Sequence, residues 1–250
     1  MNVKNLAVIV LAAGKVTRMK SSLAKVLQEL NSKPLLNYVL DFLAPLNSDL
    51  SIVVVGFQSK IVKKKFTGRG LLFVEQKEQL GTGHAAQEAK IALGDFLGDV
   101  LIVCGDMPFI KPQTLVDLLT IHRTKQAACT VLTLKGSEKK DFGRIIRDGN
   151  GMVSKIIEYK DASIDEKKVD EYNSGVYCFD KVLFCKALES IGNNNTQKEY
   201  YLTDTIEYMA KNSFLVESLQ IRDAVQLFGI NTQEDLHLAE KIITEQIGSS

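Results

Sequence analysis

At 250 residues and 45% hydrophobic, the chain can bury a full core as one large domain, or as one domain with a small appendage. A formal net charge of +1 leaves no global field to favour nucleic acid or an acidic membrane, so neither is expected as a partner. No apolar run approaches the roughly 20 residues of a membrane span, and residues 2–10 lack the features of a signal peptide. Cys104, Cys129, Cys178 and Cys185 are scattered without a Cys-x-x-Cys pair. They predict reduced, buried small hydrophobes in a cytoplasmic protein, not a metal site.

In chain order, residues 6–11 form a short, β-branched apolar run without alternation, which predicts a buried parallel strand. Leu11-Ala-Ala-Gly-Lys-Val-Thr-Arg-Met19 follows, with Lys25 beyond it. Small residues and Gly14 let backbone N–H groups turn toward an anion, and Arg18 and Lys25 add two positive charges at the same place. That is a place to hold phosphates, although such a glycine serves equally well to begin a helix. The loop is not a Walker A, since Lys15 is not followed by Ser or Thr, nor a dinucleotide fingerprint, since the later glycines are absent.

Residues 34–43 carry apolar side chains at helical spacing, with Pro34 in the first turn. A strand is expected at 51–55, then a helix at 58–66 with Lys63-Lys-Lys65 on a solvated face. Another strand at 71–74 leads through a loop to a helix at 84–93, and a further strand covers 100–104. A helix at 112–122, a strand at 129–134 and another helix follow. This alternation predicts a Rossmann-like α/β fold, with a mostly parallel sheet flanked by helices and ligands at the strands' C-terminal ends. The loops after Leu11, Val74 and Cys104 all fall on that edge. Residues 143–147, 152–157 and 172–179 read as strands joined by Asp148-Gly-Asn-Gly151, a smaller mixed or antiparallel extension over the ligand side. Residues 160–171 are expected as a charged, exposed excursion, and 203–211 and 234–247 as helices. There is no internal repeat or low-complexity tract.

Several segments together resemble the sugar-1-phosphate nucleotidyltransferases, most closely the uridylyltransferase half of the bacterial bifunctional enzymes that make UDP-N-acetylglucosamine. They are the Leu11–Met19 loop with Lys25, Gln76-Lys-Glu-Gln-Leu-Gly-Thr-Gly-His-Ala85, Cys104-Gly-Asp-Met-Pro108, and Gly143-Arg144 through Glu158 to Asn173-Ser-Gly175. Gly229-Ile-Asn231 and Asn193-Asn-Asn195 with Glu199-Tyr-Tyr-Leu-Thr-Asp204 complete the set, in order along essentially the whole chain.

The resemblance implies transfer of a uridylyl group from UTP to N-acetylglucosamine 1-phosphate, which yields a peptidoglycan precursor and needs Mg²⁺ but no nucleophilic side chain. By the same likeness Arg18, Lys25 and Asp106 are catalytic. Arg18 would grip the departing pyrophosphate, and Lys25 would lie between the α-phosphate and the sugar phosphate. Asp106 and Asn231 would hold Mg²⁺, although Asn231 before Thr232 also suits a helix cap. Leu11, Ala12, Ala13, Gly14, Gln76, Gly81 and Thr82 would line the nucleotide, with Gln76 offering both a donor and an acceptor to uracil. Cys104, Gly105, Gly143, Glu158 and Asn173 would meet the sugar. His84 is expected as a plain helix residue.

The chain departs from the family pattern at Val16, where a second glycine is usual, and at Ala24, where proline is usual. Both are expected to lower activity, and Val16→Gly with Ala24→Pro to restore it. The implied division is a nucleotidyltransferase domain at 1–232 and a C-terminal helix and tail at 233–250. No hexapeptide repeat of a left-handed β-helix is present, so the chain reads as a stand-alone enzyme or as a piece of a longer one. A transferase for another sugar phosphate and a weakly active nucleotide-sugar binder remain the alternatives.

Overall fold

The structure is a computed structural model and describes residues 5–14, 19, 21–136 and 141–248. Strand β1 (Leu6–Ala12) is followed by the two-residue strands β2 (Glu29–Leu30) and β3 (Lys33–Pro34), helix α1 (Leu35–Leu43), β4 (Leu50–Val55) and α2 (Ser59–Lys65). Next come β5 (Leu72–Glu75), α3 (Thr82–Leu93), β6 (Asp99–Cys104), α4 (Pro112–Lys125) and β7 (Cys129–Lys135). The second half holds β8 (Arg144–Arg147), β9 (Val153–Ile157), β10 (Glu171–Asp180), α5 (Lys181–Ser190), α6 (Asp204–Lys211), β11 (Val216–Ile221) and α7 (Gln233–Gly248). Among the described residues, no helix is long and apolar enough to cross a membrane.

The main sheet runs β11-β7-β10-β6-β1-β4-β5. Strand β1 is parallel to β4 and β6, β4 to β5, and β7 to β11. Both faces are covered, which is why β1 shows no alternation in sequence. Val8 and Val10 pack beneath Leu36, Val39, Leu115 and Leu118 of α1 and α4. Ala7 and Ile9 pack against the opposite layer, with Ala86 and Ala89 of α3, Phe184 of α5 and Ile206 of α6. Helix α7 returns to the start of the chain, with Ala239 beside Met19, Leu30 and Leu35.

Three expectations need correction. Strand β10 is only in part an extension, because from Tyr177 on it lies inside the sheet, antiparallel to both β6 and β7, while Tyr172 near its start pairs with Arg144 of β8. Its pairing shifts between Asn173 and Tyr177, where Gly175 takes a left-handed φ of 80°. That bulge bends the strand beside the end of β6, and only β8 and β9 stand off as an antiparallel arm. The helix expected after β7 is absent among the described residues, since residues 141–143 lead directly into β8. Finally, the excursion at 160–171 ends in a buried Glu171, held by the Arg147 guanidinium at 2.7 Å and the Thr133 hydroxyl at 2.8 Å. A charged residue thus belongs to the interior because its partners come from other strands.

Candidate functional site

At the C-terminal ends of β1, β5 and β6 lies a cleft of about 390 Å³. Leu11, Ala12, Ala13, Gly14, Lys25, Gln76, Gly81, Thr82, Cys104 and Asp106 line it, together with Val26, Gln79, Ala85 and Glu199. A doubly wound sheet leaves such a crevice where its helices diverge, so residues more than 90 positions apart meet by topology.

Lys25, Asp106 and Asn231 form the charged centre. The Lys25 ammonium pairs with an Asp106 carboxylate oxygen and donates to Asn231 Oδ1 at 2.8 Å. The three are carried by the segment after the first loop, the turn after β6 and the segment before α7. The Asp106 carbonyl accepts the Ile230 N–H at 3.0 Å, which ties the last two together. Asn231 does not cap α7. Thr232 does, since its hydroxyl accepts the Asp235 N–H at 3.0 Å while the Asp235 carboxylate accepts the Thr232 N–H at 2.8 Å. Two hard oxygen donors therefore converge on one cation, here an ammonium. Lys25, expected between two phosphates, here lies against both of the residues expected to hold the metal. Among the described residues no group of three or more His, Cys, Asp and Glu gathers as a metal site.

Arg18 and Val16 lie outside the described residues. Ala24 has a φ of −54°, already within the range of proline, but its N–H donates to Gln58 Oε1 at 2.7 Å. Gln58 also donates from Nε2 to the Ser22 carbonyl at 2.7 Å, so one side chain brackets the backbone just ahead of Lys25. Ala24→Pro would delete that donor and strand the Gln58 acceptor. The variant is expected to lower kcat/KM by about 2- to 10-fold, the worth of one such bond, instead of raising it. Steady-state kinetics on Ala24→Pro and Gln58→Ala decide this, and a gain in the proline variant would count against the clamp.

The other wall belongs to Gln76 and Gly81. Gln76 is only 3% exposed, and its Nε2 donates to the Gly81 carbonyl and to His84 Nδ1, both at 3.0 Å. Both amide protons are thereby committed. Oε1 accepts nothing among the described residues and is not sealed from the cleft. Gln76 thus keeps an acceptor alone uncommitted, and the Gly81 N–H makes no hydrogen bond among the described residues. Gly81 takes φ 106° and ψ 176°, and a Cβ there would stand 2.5 Å from the Tyr200 carbonyl oxygen. Thr82 lines the cleft, and its hydroxyl accepts the Leu202 N–H at 3.1 Å, which steadies its backbone there. The Tyr200 N–H donates to the Leu80 carbonyl and the Gly83 N–H to the Tyr200 carbonyl, both at 2.7 Å, which fastens the 199–202 segment to this wall.

Gly105 does not line the cleft. It is a packing glycine, for a Cβ would sit 3.0 Å from Val26 and 3.1 Å from Ala12. Burial, and then the Asp106 charge, push the Cys104 thiol up to about 12, so it remains neutral. Gly143, Glu158 and Asn173 sit on the β8–β10 platform outside this cleft. Asn173 Oδ1 accepts the Gly175 N–H at 3.2 Å and the Tyr177 hydroxyl at 2.9 Å, so its outward-acting group is the amide Nδ2. Glu158 lines a second cavity of about 350 Å³ with Asn195, Tyr201 and Asp204. Burial raises the Glu158 pKa, the Thr203 hydroxyl opposes, and nearby carboxylates add to the rise. Burial and the Glu207 and Asp161 charges raise Asp204 to about 6.

Sequence patterns gave no sign of Gln58, a polar residue just ahead of a helix, whereas Gln79 and Glu199 lie inside the motif segments without having been singled out. Gly56 was legible in principle, as a glycine closing an apolar run. A Cβ there would meet the Ala13 carbonyl oxygen at 2.7 Å, beneath the first loop.

A mostly parallel sheet carries a cation-and-carboxylate centre at its strand ends, and the chain belongs to the family described as the MobA-like NTP transferase domain, matched over residues 8–190. Among curated relatives, "Bifunctional protein GlmU" of Pelobacter propionicus is 41% identical over 245 residues, 98% of this chain and 53% of that protein. The protein of the same name from Desulfotalea psychrophila is 40% identical over 236 residues, 94% of this chain and 70% of that one. The chain spans about half the length of the first of these. Of solved structures, UDP-glucose pyrophosphorylase complexed with UDP-glucose superposes with a TM-score of 0.76 at 16% identity, covering 96% of this chain and 98% of that one. That likeness speaks for the fold.

Proposed function

We propose that this domain transfers a uridylyl group from UTP to N-acetylglucosamine 1-phosphate and releases pyrophosphate. The observation that carries the reading is the convergence of Lys25, Asp106 and Asn231 on one point, in the same cleft as an acceptor from Gln76 and a donor from Gly81. The identity to the GlmU proteins over nearly the whole chain supports the choice of substrates.

In this reading a sugar-phosphate oxygen attacks the α-phosphorus of UTP. A new P–O bond forms while the bond to the bridging oxygen breaks, and pyrophosphate leaves. Two polyanions must meet, so the barrier is mostly repulsion and alignment. Lys25 supplies a fixed positive charge at the meeting point. Asp106 and Asn231 offer the hard oxygen donors that suit Mg²⁺ and would hold it there. Bound, the ion would supply positive charge against the phosphates. The neutral Cys104 thiol takes no part as a nucleophile. Arg18 is assigned to the leaving pyrophosphate, and Asn173 Nδ2 and the Glu158 carboxyl to the sugar.

For a ring held in one register, Gln76 Oε1 accepts from an imide N–H and the Gly81 N–H donates to a neighbouring carbonyl. Cytosine turns a bare ring nitrogen toward Oε1 and leaves the buried amide unpaired. UTP is therefore expected to exceed CTP in kcat/KM by about 100-fold or more. Pyrophosphate release with UTP or CTP, Mg²⁺ and a panel of sugar 1-phosphates tests both claims. No release with any sugar phosphate would refute transfer, a preference for another sugar would reassign the acceptor, and parity of UTP with CTP would refute base reading.

A further inference from the structure

We propose that His84, held by Glu88, is the positioning residue that turns the Gln76 carbonyl toward the cleft and so makes the base site select an imide edge. The inference rests on the uridylyl reading for its ligand but on separate geometry for its mechanism. His84 stands near the start of α3, one turn ahead of Glu88, and its ring lies 6.3 Å from that of Tyr200.

The neighbours of the imidazole set where its proton sits. Glu88 Oε1, a carboxylate oxygen, lies 3.3 Å from His84 Nε2, a contact that favours a proton on that nitrogen. On the other side Nδ1 faces Gln76 Nε2 at 3.0 Å, a group that can only donate, so Nδ1 keeps its lone pair. With its lone pair held at Nδ1 by the Gln76 amide, the ring carries its N–H at Nε2, on the side of Glu88. The Gly81 carbonyl, which can only accept, takes the other Gln76 amide proton at 3.0 Å. With nitrogen committed twice, the amide cannot turn over without setting its oxygen against two acceptors. Oε1 is left as the group presented to the ligand.

Without Nδ1, one Gln76 proton loses its acceptor in a nearly buried place, and half of the lock on the amide is gone. A ring of the same shape with no acceptor would fill the space and still fail. His84→Phe is the matching test, because it keeps an aromatic beside Tyr200. His84→Asn restores an acceptor, its Oδ1 standing two bonds from Cβ as Nδ1 does.

The experiment measures UTP and CTP affinity by calorimetry in wild type, His84→Phe and His84→Asn, so that turnover is not needed. Nitrogen-detected NMR of the wild type reads the His84 tautomer and the coupling across the hydrogen bond to the Gln76 amide. Expected are the Nε2–H tautomer with a measurable coupling, an affinity ratio that falls at least about tenfold in His84→Phe, and recovery in His84→Asn. An Nδ1–H tautomer, an unchanged ratio in a folded His84→Phe, or equal UTP and CTP affinity in wild type would each overturn the inference. If no sugar phosphate yields pyrophosphate while the nucleotide preference is present and lost in His84→Phe, transfer fails as the function and this inference stands.

Discussion

Asp106→Asn is expected to reduce kcat/KM for pyrophosphate release by about 10²–10³, the scale on which a single preorganised electrostatic partner acts. The carboxylate is shared between Lys25 and the proposed cation position, so its loss removes the anionic donor that faces Lys25 beside Asn231 Oδ1. The side chains of Lys25 and Asp106 are 13% and 20% exposed, so the pair is neither a surface ion pair nor fully desolvated. Its contribution to stability is therefore about 1–3 kcal/mol, between the two measured extremes. The fold survives, since the Asp106 carbonyl keeps the Ile230 N–H whatever the side chain. Because Lys25, Asp106 and Asn231 act as one unit, Lys25→Met combined with Asp106→Asn is expected to be little worse than the worse single variant. Kinetics over a Mg²⁺ titration, with thermal unfolding of each variant, check this. Near-normal activity of Asp106→Asn at limiting Mg²⁺, or strictly multiplied losses in the double variant, would remove the unit from the mechanism.

The second large effect is expected at Gly81, where alanine meets two penalties. Its backbone, at φ 106° and ψ 176°, lies in a region that essentially only glycine occupies, at a cost of about 1–3 kcal/mol for a side chain. In addition the new Cβ would stand 2.5 Å from the Tyr200 carbonyl oxygen and 3.0 Å from the Tyr200 nitrogen, backbone atoms that cannot swing aside. Relief requires moving Gly81, which displaces the carbonyl that anchors Gln76, or the 199–202 segment, which strains its bonds to Leu80 and Gly83 on either side. Gly81→Ala is expected to lower the unfolding midpoint by about 2–12 °C and to weaken UTP binding by about 100-fold or more. Calorimetric melting and UTP titration measure the two independently. A variant that melts with the wild type and still binds UTP would show that the wall yields, and would dissolve the argument for this glycine.

Local sequence was enough for the first half of the sheet. The runs that became β1, β4 and β6 are apolar, β-branched and separated by helical periods, and such a pattern permits little besides buried parallel strands with crossovers. It also placed Gly14, Gln76 and Asp106 on one edge, since every parallel strand delivers its C-terminal end to the same side. The motif likeness named Lys25 and Asn231. The site's composition was thus in the chain.

What tertiary structure alone decided were the pairings that join distant segments. Strand β10 has the same local character whether it extends the sheet or enters it, and only the partners β6 and β7 settle its place. Glu171 reads as exposed because burial of a carboxylate depends on Arg147 and Thr133, which no local pattern supplies. Ala24 looks like a lost proline until Gln58, 34 residues away, takes up its N–H. Gln76 can donate or accept by its chemistry, and His84 and Gly81 take up its two protons, leaving the acceptor. A residue type fixes which hydrogen bonds are possible, and the packed neighbours fix which remain for a ligand.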